Sequence, residues 1–188
     1  IALEIANTNQ GYENSLVTQR LRLVHQAEVY YDETGFDWYI TLDRLTQTAD
    51  GYLDEVHPLR DQADAVAMMV GDSSSCGLSY QTADAAHAFA IVSHLCTPLY
   101  SSAHELGHIM GASHDPASGC DGIFSDSCGH QEPGEFRTNM ALNCVVYCPK
   151  VNHWSNPNGN YNSMPTGIEG QEDNARTLNA TAITVANF

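Results

Sequence analysis

The sequence predicts one α/β domain with a largely parallel sheet, and two observations indicate this class. The chain has 188 residues, a length that suits one domain better than two. Helical and strand-like patterns alternate through its first half, an order typical of a parallel sheet packed on helices. We therefore expect a single domain over residues 1–188, with a final helix after a long loop region.

The first half of the chain supplies the predicted sheet. Residues 1–19 space their apolar groups as an amphipathic helix that runs into a loop. Residues 20–31 alternate apolar and polar side chains, which predicts a strand. Residues 41–62 have the spacing of one or two helices, interrupted near Gly51. Three short apolar runs predict further strands: residues 63–72, 76–81 and 87–96.

The second half of the chain is predicted to contain less regular structure. Residues 101–111 begin with Ser and end with Gly, a composition that favours a short helix. Residues 115–163 are rich in Gly, Pro, Asn, Ser and Cys, so we expect mostly loop there. Residues 172–188 have the apolar spacing of a closing amphipathic helix.

Acidic residues dominate the charge of the chain. There are 23 Asp and Glu against 7 Lys and Arg, so the formal net charge is -16. This surface argues against nucleic acid and anionic membranes as partners, and no apolar run has the length of a membrane span. No signal peptide precedes Ile1, which lies inside a predicted helix, so we expect a processed or trimmed chain. We expect it to be monomeric.

The six cysteines indicate an oxidising compartment. Their number is even and none forms a Cys-x-x-Cys unit, so three disulfides in a secreted protein fit better than a zinc ribbon. Six cysteines allow 15 connectivities, of which we expect the pairing of neighbours. The expected pairs are Cys76 with Cys96, Cys120 with Cys128, and Cys144 with Cys148.

The segment HELGHIMGASHD over residues 104–115 carries the chemistry. In a helix, His104 and His108 lie on one face, where both imidazoles can reach one zinc ion. Gly111 can adopt positive φ, end the helix and turn the chain, so that His114 supplies a third nitrogen. Three protein ligands leave a position for water, as catalytic zinc requires.

Glu105 is the predicted catalytic base. It lies roughly 100° around the helix from His104, where it can reach a zinc-bound water rather than the ion. It would take the proton of that water during attack on a peptide bond and pass it to the leaving amine. The alternative is an amphipathic helix with surface histidines and a turn, but the fixed offsets of Gly111, His114 and Asp115 argue against coincidence.

These residues resemble the extended metzincin signature His-Glu-x-x-His-x-x-Gly-x-x-His. Asp115 after the third histidine resembles the adamalysin, or reprolysin, branch. Nearly the whole chain is similar to bacterial reprolysin-like peptidases, which include the peptidyl-Asp metallopeptidases. The matching stretches are NQGYENS (9–15), RLRLVHQAEVYY (20–31), DGYLDEVHPLRDQ (50–62), CGLSY (76–80) and VNHWSNPNGNYNSMPTG (151–167).

The resemblance implies a zincin fold with a five-stranded mixed, mostly parallel sheet above the active-site helix. An upper subdomain would cover residues 1–114 and a lower one residues 115–188. An extended substrate would pair with an edge strand around Gly77–Gln81, by β-strand addition. Relatives carry a strand before the first helix, and this sequence lacks it.

The family also implies a methionine beneath the zinc site, in a Met-turn. Met140 in FRTNMALNC is the favoured candidate and Met164 in NSMPTG is the competing one. Asn139 departs from the branched apolar residue expected before the methionine, and Leu142 stands where a tyrosine is frequent. Asp115 is either a metal ligand or fixes the loop near the Met-turn, and the family favours the second role.

Lys150 and His153 are the candidates for substrate selection. Lys150, the one lysine of the chain, follows the Met-turn in a segment that walls the pocket after the scissile bond in this family. A cation there would favour cleavage before Asp or Glu, whereas a solvated Lys150 would leave an apolar pocket. His153 lies in the same wall. The loop from Asp121 to Asp126 offers oxygens for a calcium ion.

Two classes of function remain open at this stage. The first is a secreted zinc endopeptidase that acts on polypeptides, with crosslinked cell-wall peptide or elastic matrix as special targets. The second is a catalytically silent module that binds protein and uses zinc for folding. Glu105 favours the enzyme, because a retired protease is free to lose its base.

Overall fold

A three-stranded sheet lies between helices in the computed structural model, which describes residues 1–81 and 84–188. Strand β1 (Val66–Val70) pairs in parallel with the central strand β3 (Phe89–Ser93), and β2 (Gly77–Ser79) pairs antiparallel with β3. Every residue of β3 is buried. A continuous buried run is typical of a strand covered on both faces.

Five helices frame the sheet within the described residues. They are α1 (Ala2–Asn14), α2 (Trp38–Thr46), α3 (His57–Arg60), α4 (Ser101–Ile109) and α5 (Asn174–Val185). Helix α2 covers one face of β3, where Leu42 and Leu45 pack with Phe89 and Ile91. Helix α4 covers the other face, where Ile109 packs with Ala90 of β3 and with Ala88 just before it. The alternation of side chains along β3 therefore sets α4 directly beneath the sheet.

The expected five-stranded, mostly parallel sheet is not found among the described residues, since the sheet has three strands and one of its two pairings is antiparallel. Residues 20–31, predicted as a strand, form no ladder, and residues 22–28 are exposed. Val29 and Tyr31 of this segment pack against the core beside α2, and Leu21 packs against the cluster around Tyr12 and Trp154. Alternation indicates which side chains share a face, but a strand also needs a partner edge, and here none is paired with it.

The other predictions for the first half hold in outline. The helical pattern of residues 41–62 divides into α2 and the short α3, with a 3-10 turn at Asp54–Val56 before α3. Helix α2 starts at residue 38 because Asp37 caps it, with its side chain accepting a hydrogen bond from the backbone N–H of Ile40.

The region after α4 is mostly loop, as predicted. It contains two small hairpins, formed by β4 (Gln131–Glu132) with β5 (Phe136–Arg137) and by β6 (Asn160–Tyr161) with β7 (Met164–Pro165). One core cluster connects this region with the helices above it: Tyr12 from α1, Ala103 from α4, Met140 and Trp154 from the loops, and Leu178 from α5.

Three disulfides fasten the loops: Cys76–Cys96, Cys120–Cys128 and Cys144–Cys148. This is the predicted pairing of neighbours. The first joins the start of β2 to the segment before α4, and the other two lie in the loop region. Among the described residues, no helix is both long and apolar enough to cross a membrane.

Candidate metal centre and active-site cleft

Helix α4 presents two histidines towards the cleft and then turns sharply. The helix begins after Tyr100, which is in the left-handed conformation with φ 56, and its last turn is closed by a hydrogen bond from the Ala112 N–H to the Gly107 carbonyl. Gly111 has φ +86, and a Cβ there would lie 2.8 Å from the side chain of Ile123. Glycine is therefore required at the turn that redirects the chain towards His114.

The three histidine rings meet at one point. Their Nε2 atoms lie 3.2 Å apart for His104 and His108, 3.2 Å for His104 and His114, and 3.1 Å for His108 and His114. Tetrahedral zinc with bonds of about 2.0–2.1 Å places its ligand atoms roughly 3.3 Å apart. The triad therefore fits a zinc ion, and among the described residues it is the one group of three or more His, Cys, Asp or Glu side chains found to suit a metal.

Backbone carbonyls orient two of these rings. The Nδ1 of His104 donates to the Asn139 carbonyl at 2.7 Å, and the Nδ1 of His108 donates to the Ala112 carbonyl at 3.1 Å. These bonds select the tautomer in which Nε2 is unprotonated and its lone pair is available to a metal. Burial lowers the pKa of His104 well below its usual range, lowers that of His108 to about 4, and lowers that of His114. All three rings are thus neutral near pH 7, as a metal ligand must be.

Glu105 lies beside the triad and contacts the edge of the sheet. Its side chain is buried, and burial raises the pKa of its carboxyl group to about 7. The Ser79 hydroxyl donates to Glu105 Oε2 at 2.7 Å. Strand β2 approaches so closely that a Cβ on Gly77 would lie 2.6 Å from the Cγ of Glu105. The position of this carboxylate is therefore set by β2 as well as by α4.

Met140 is fully buried beneath α4, where a Cβ on Gly107 would lie 2.6 Å from its Sδ and 2.7 Å from the Trp154 ring. Asn139, also fully buried, uses its carbonyl to hold His104 and its N–H to bond the His153 carbonyl at 2.8 Å. Met164 instead lies in the β6–β7 hairpin and is partly exposed.

Asp115 contacts the loop that follows Met140. Its Oδ2 accepts a hydrogen bond from the backbone N–H of Leu142 at 2.9 Å, and its side chain is 1% exposed. It is not part of the metal-binding group found among the described residues. This contact matches the loop-fixing role that the sequence leaves open beside metal ligation.

A cleft of about 520 Å³ runs over the triad and Glu105. Strand β2 is an edge strand and lines one side of the cleft. The loop region also contributes lining residues: Arg137, Leu142, Asn143 and Lys150. Lys150 thus lines the cleft that contains Glu105. His153 is not among the described residues that line it; its ring packs on Tyr161, with the centroids 5.2 Å apart.

A model of the Metallo-peptidase family M12, of the reprolysin type, matches residues 1–155. The chain belongs to this family. Membership implies a zinc cofactor, and the histidine triad has the ligands and spacing to hold it.

Relatives of this M12 chain carry one name. The chain is 39% identical over 197 residues to a "Peptidyl-Asp metalloendopeptidase" of Stenotrophomonas maltophilia, and the match covers 100% of this chain and 47% of that protein. A protein of the same name from Xanthomonas campestris pv. campestris is 39% identical over 193 residues, covering 100% of this chain and 46% of that one. One from Pseudomonas fragi is 32% identical over 184 residues, covering 96% and 99%. The chain therefore spans about half the length of the first two relatives.

The fold of the M12 chain also matches a solved structure described as "Structure of a chaperone-substrate complex". The TM-score is 0.73 at 22% identity, over 98% of this chain and 30% of that one. At this identity the similarity concerns the fold alone.

The calcium expectation has no support in the M12 chain. The two acids of the loop face different partners, since Asp121 accepts hydrogen bonds from Gln81 and Ser113, whereas Asp126 pairs with Arg176 at 2.6 Å. The loop thus does not gather its carboxylates around one point.

Several contacts at the cleft of the M12 chain are absent from the sequence-based prediction, which names the strand around Gly77–Gln81 and Asn139 but gives them other roles. Ser79 and Gly77 contact Glu105, the Asn139 carbonyl orients His104, and Arg137 lines the wall next to Lys150. Arg137 alone left a signal, because it is one of 7 basic residues and lies close to Met140 in the chain.

Proposed function

We propose that residues 1–188 form the catalytic domain of a secreted zinc endopeptidase. One observation carries the proposal: three neutral histidine nitrogens lie 3.1–3.2 Å apart, beside the buried carboxyl group of Glu105, in a cleft bounded by an edge strand. The three disulfides support secretion, because they persist in oxidising compartments.

His104, His108 and His114 would hold the ion, leaving one position for a substrate or water. Zinc, when bound, would polarise the scissile carbonyl and lower the pKa of water. Glu105 would take the proton of the attacking water and pass it to the leaving amine. Burial raises the pKa of this carboxyl group to about 7, and the charge of a bound zinc ion would lower it towards the ionised form that accepts a proton.

The surroundings of the triad support assigned roles for the neighbouring residues. Met140 would be the Met-turn methionine, an apolar floor under the histidines, because it packs beneath Gly107 of the same helix. Asp115 would fix the loop after Met140 through Leu142. An extended substrate would add to the free edge of β2, where backbone hydrogen bonds give affinity largely independent of sequence.

The relatives' name and the position of Lys150 support a preference for Asp or Glu after the scissile bond. Lys150 lies in the same cleft as Glu105 and the edge strand. A cation in that wall would attract an acidic side chain. His153 would act only indirectly, through its carbonyl, which accepts the hydrogen bond from Asn139.

Casein hydrolysis with and without a chelator tests the proposal, together with a Glu105→Gln variant. We expect hydrolysis that is lost on chelation, restored by zinc and abolished in Glu105→Gln at unchanged zinc content. Full activity in Glu105→Gln would refute the mechanism. A zinc-loaded wild-type protein that hydrolyses nothing would favour the silent binding module instead.

A further inference from the structure

Arg137 and Lys150 lie on two adjacent backbone segments of the cleft wall, which a parallel β-bridge joins. The Arg137 N–H donates to the Pro149 carbonyl at 2.9 Å, and the Val151 N–H donates to the Arg137 carbonyl at 2.9 Å. This bridge holds the two residues in register, and both side chains line the cleft with His104 and Glu105. Two of the 7 Lys and Arg residues of the chain are therefore held next to each other in the cleft that contains the histidine triad and Glu105.

These two cations form no ion pair within the described part of the chain, although Asp115 acts on the charge of Arg137, and Glu105 on that of Lys150, from more than 4.0 Å away. The chain contains 23 acidic residues, yet neither Arg137 nor Lys150 has a carboxylate oxygen within 4.0 Å among the described residues. In that part of the chain, the ion pair formed by a Lys or Arg side chain is Arg176 with Asp126. Burial, and to a smaller extent the positive charge of Arg137, lower the pKa of Lys150 to about 7 against the opposing effect of Glu105. Partly buried cations are normally in ion pairs, so two neighbouring cations without one favour the binding of an anionic group.

The guanidinium of Arg137 is held in place with donors to spare. Its Nη1 donates to the Ala141 carbonyl at 3.0 Å, which orients the plane of the group. Its Nε is buried and has no hydrogen-bond partner among the described residues. A guanidinium keeps its charge at every relevant pH and matches a carboxylate with two parallel donors, whereas an ammonium group does neither.

We propose that Arg137 is the specificity-determining residue of the cleft, binding the carboxylate of an acidic substrate residue next to the scissile bond, with Lys150 as a second cation. The inference rests on the proposed function and deepens it. Arg137, which is not a metal ligand, would supply the permanent positive charge that binds the substrate carboxylate. Lys150 would make the smaller contribution to this binding.

A matched peptide pair measures this recognition. Amidated peptides carrying Asp or Asn after the scissile bond differ by the charge of one side chain, and the ratio of their kcat/KM values is independent of the folded fraction of enzyme. We expect the wild type to favour Asp, and Arg137→Gln to lower the ratio by roughly 10- to 100-fold, from the loss of a charge-assisted hydrogen bond. Arg137→Lys should recover only part of it, because the planar fork is missing.

Arg20→Gln is the matched control. Arg20 also donates to backbone carbonyls, those of Val17 and Gln19, but is exposed and away from the cleft. Its removal changes the net charge equally and should leave the Asp-to-Asn ratio unchanged. An unchanged ratio in Arg137→Gln, or an equal fall in Arg20→Gln, would overturn the proposal.

A binding measurement separates failure of this inference from failure of the proposed function. In the Glu105→Gln background, fluorescence anisotropy gives the affinities of the same two peptides without turnover. Tighter binding of the Asp peptide that disappears with Arg137→Gln supports the inference even if no hydrolysis is ever seen. Equal binding of both peptides overturns it even if the wild type hydrolyses casein.

A carboxylate can also come from the end of a peptide chain. An Ala peptide with a free carboxylate directly after the scissile bond therefore serves as a third arm. Recognition of a side chain requires the amidated Asp peptide to bind better than this peptide, and the reverse order would overturn the assignment to an acidic side chain.

Discussion

The Ser79 hydroxyl donates a 2.7 Å hydrogen bond to Oε2 of Glu105, joining the edge strand to the active-site helix. Under the proposed mechanism, Ser79 positions the base without touching the substrate's reacting atoms. We expect Ser79→Ala to lower kcat roughly fivefold at nearly unchanged KM. A fivefold loss corresponds to about 1 kcal/mol, the contribution typical of one hydrogen bond. Ser79→Thr, which keeps the hydroxyl, should restore most of the rate.

Steady-state kinetics on a peptide substrate checks this prediction. Ser118→Ala is the control, because Ser118 is exposed in a short turn away from Glu105. A rise in KM with kcat preserved would contradict a positioning role and indicate instead that Ser79 binds the substrate.

Gly77 is the point where β2 passes closest to Glu105. A methyl group there would lie 2.6 Å from Cγ and 2.7 Å from Cδ of Glu105, so either the strand or the carboxylate must shift. A misplacement of about 1 Å in an active site can cost about 100-fold in rate. We expect a loss of that order in Gly77→Ala with normal zinc content by metal analysis.

Gly71→Ala provides the comparison, since a Cβ there would meet nothing closer than the Glu33 side chain at 3.3 Å. Its activity should stay within a few-fold of the wild type. Equal activity of the two variants would show that β2 does not constrain Glu105.

Zinc should stabilise the fold as well as support hydrolysis. Ligand at about a thousandfold excess over its dissociation constant adds about 4 kcal/mol, which for a domain of this size raises Tm by roughly 8–16 °C. We expect calorimetry to show this shift between chelated and zinc-loaded protein. In His108→Ala, which removes one Nε2 of the triad, the shift should shrink to a few degrees; the same shift in that variant would place the zinc elsewhere.

The preference for an acidic residue should weaken as pH rises. The pKa of Lys150 is lowered by burial and by Arg137 to about 7, so its charge is present below that pH and lost above it. The Asp-to-Asn ratio of kcat/KM, which reports the free enzyme, should fall roughly fivefold between pH 6 and 8. Lys150→Arg should keep the ratio level across this range, and a level ratio in the wild type would exclude a contribution from Lys150.

Local signals explain what the sequence predicts well. Helix α4 was expected over residues 101–111 and covers Ser101–Ile109, because capping, histidine spacing and the positive φ of Gly111 all act within one or two turns. The neighbour pairing of the cysteines has the same local character, since each disulfide closes a short stretch of chain.

Contacts between distant segments explain what the sequence does not predict. The alternation of residues 20–31 predicts a strand, but strand formation depends on a free partner edge that no local pattern describes. Arg137 meets Lys150 only through the bridge between two irregular loops. Ser79 and Gly77 are unremarkable in sequence, and their roles follow from how closely β2 passes over α4.

The formal charge of -16 and the cationic pair in the cleft act over different ranges. At 0.1 M salt a charge is felt over about 10 Å, so an approaching acidic chain meets repulsion before it meets Arg137. Moderate salt should therefore speed the capture of acid-rich substrates, the reverse of ordinary electrostatic steering. The protein would discriminate at two stages, turning away polyacidic chains at the encounter and selecting a solitary acidic residue, set among neutral or basic neighbours, once contact is made.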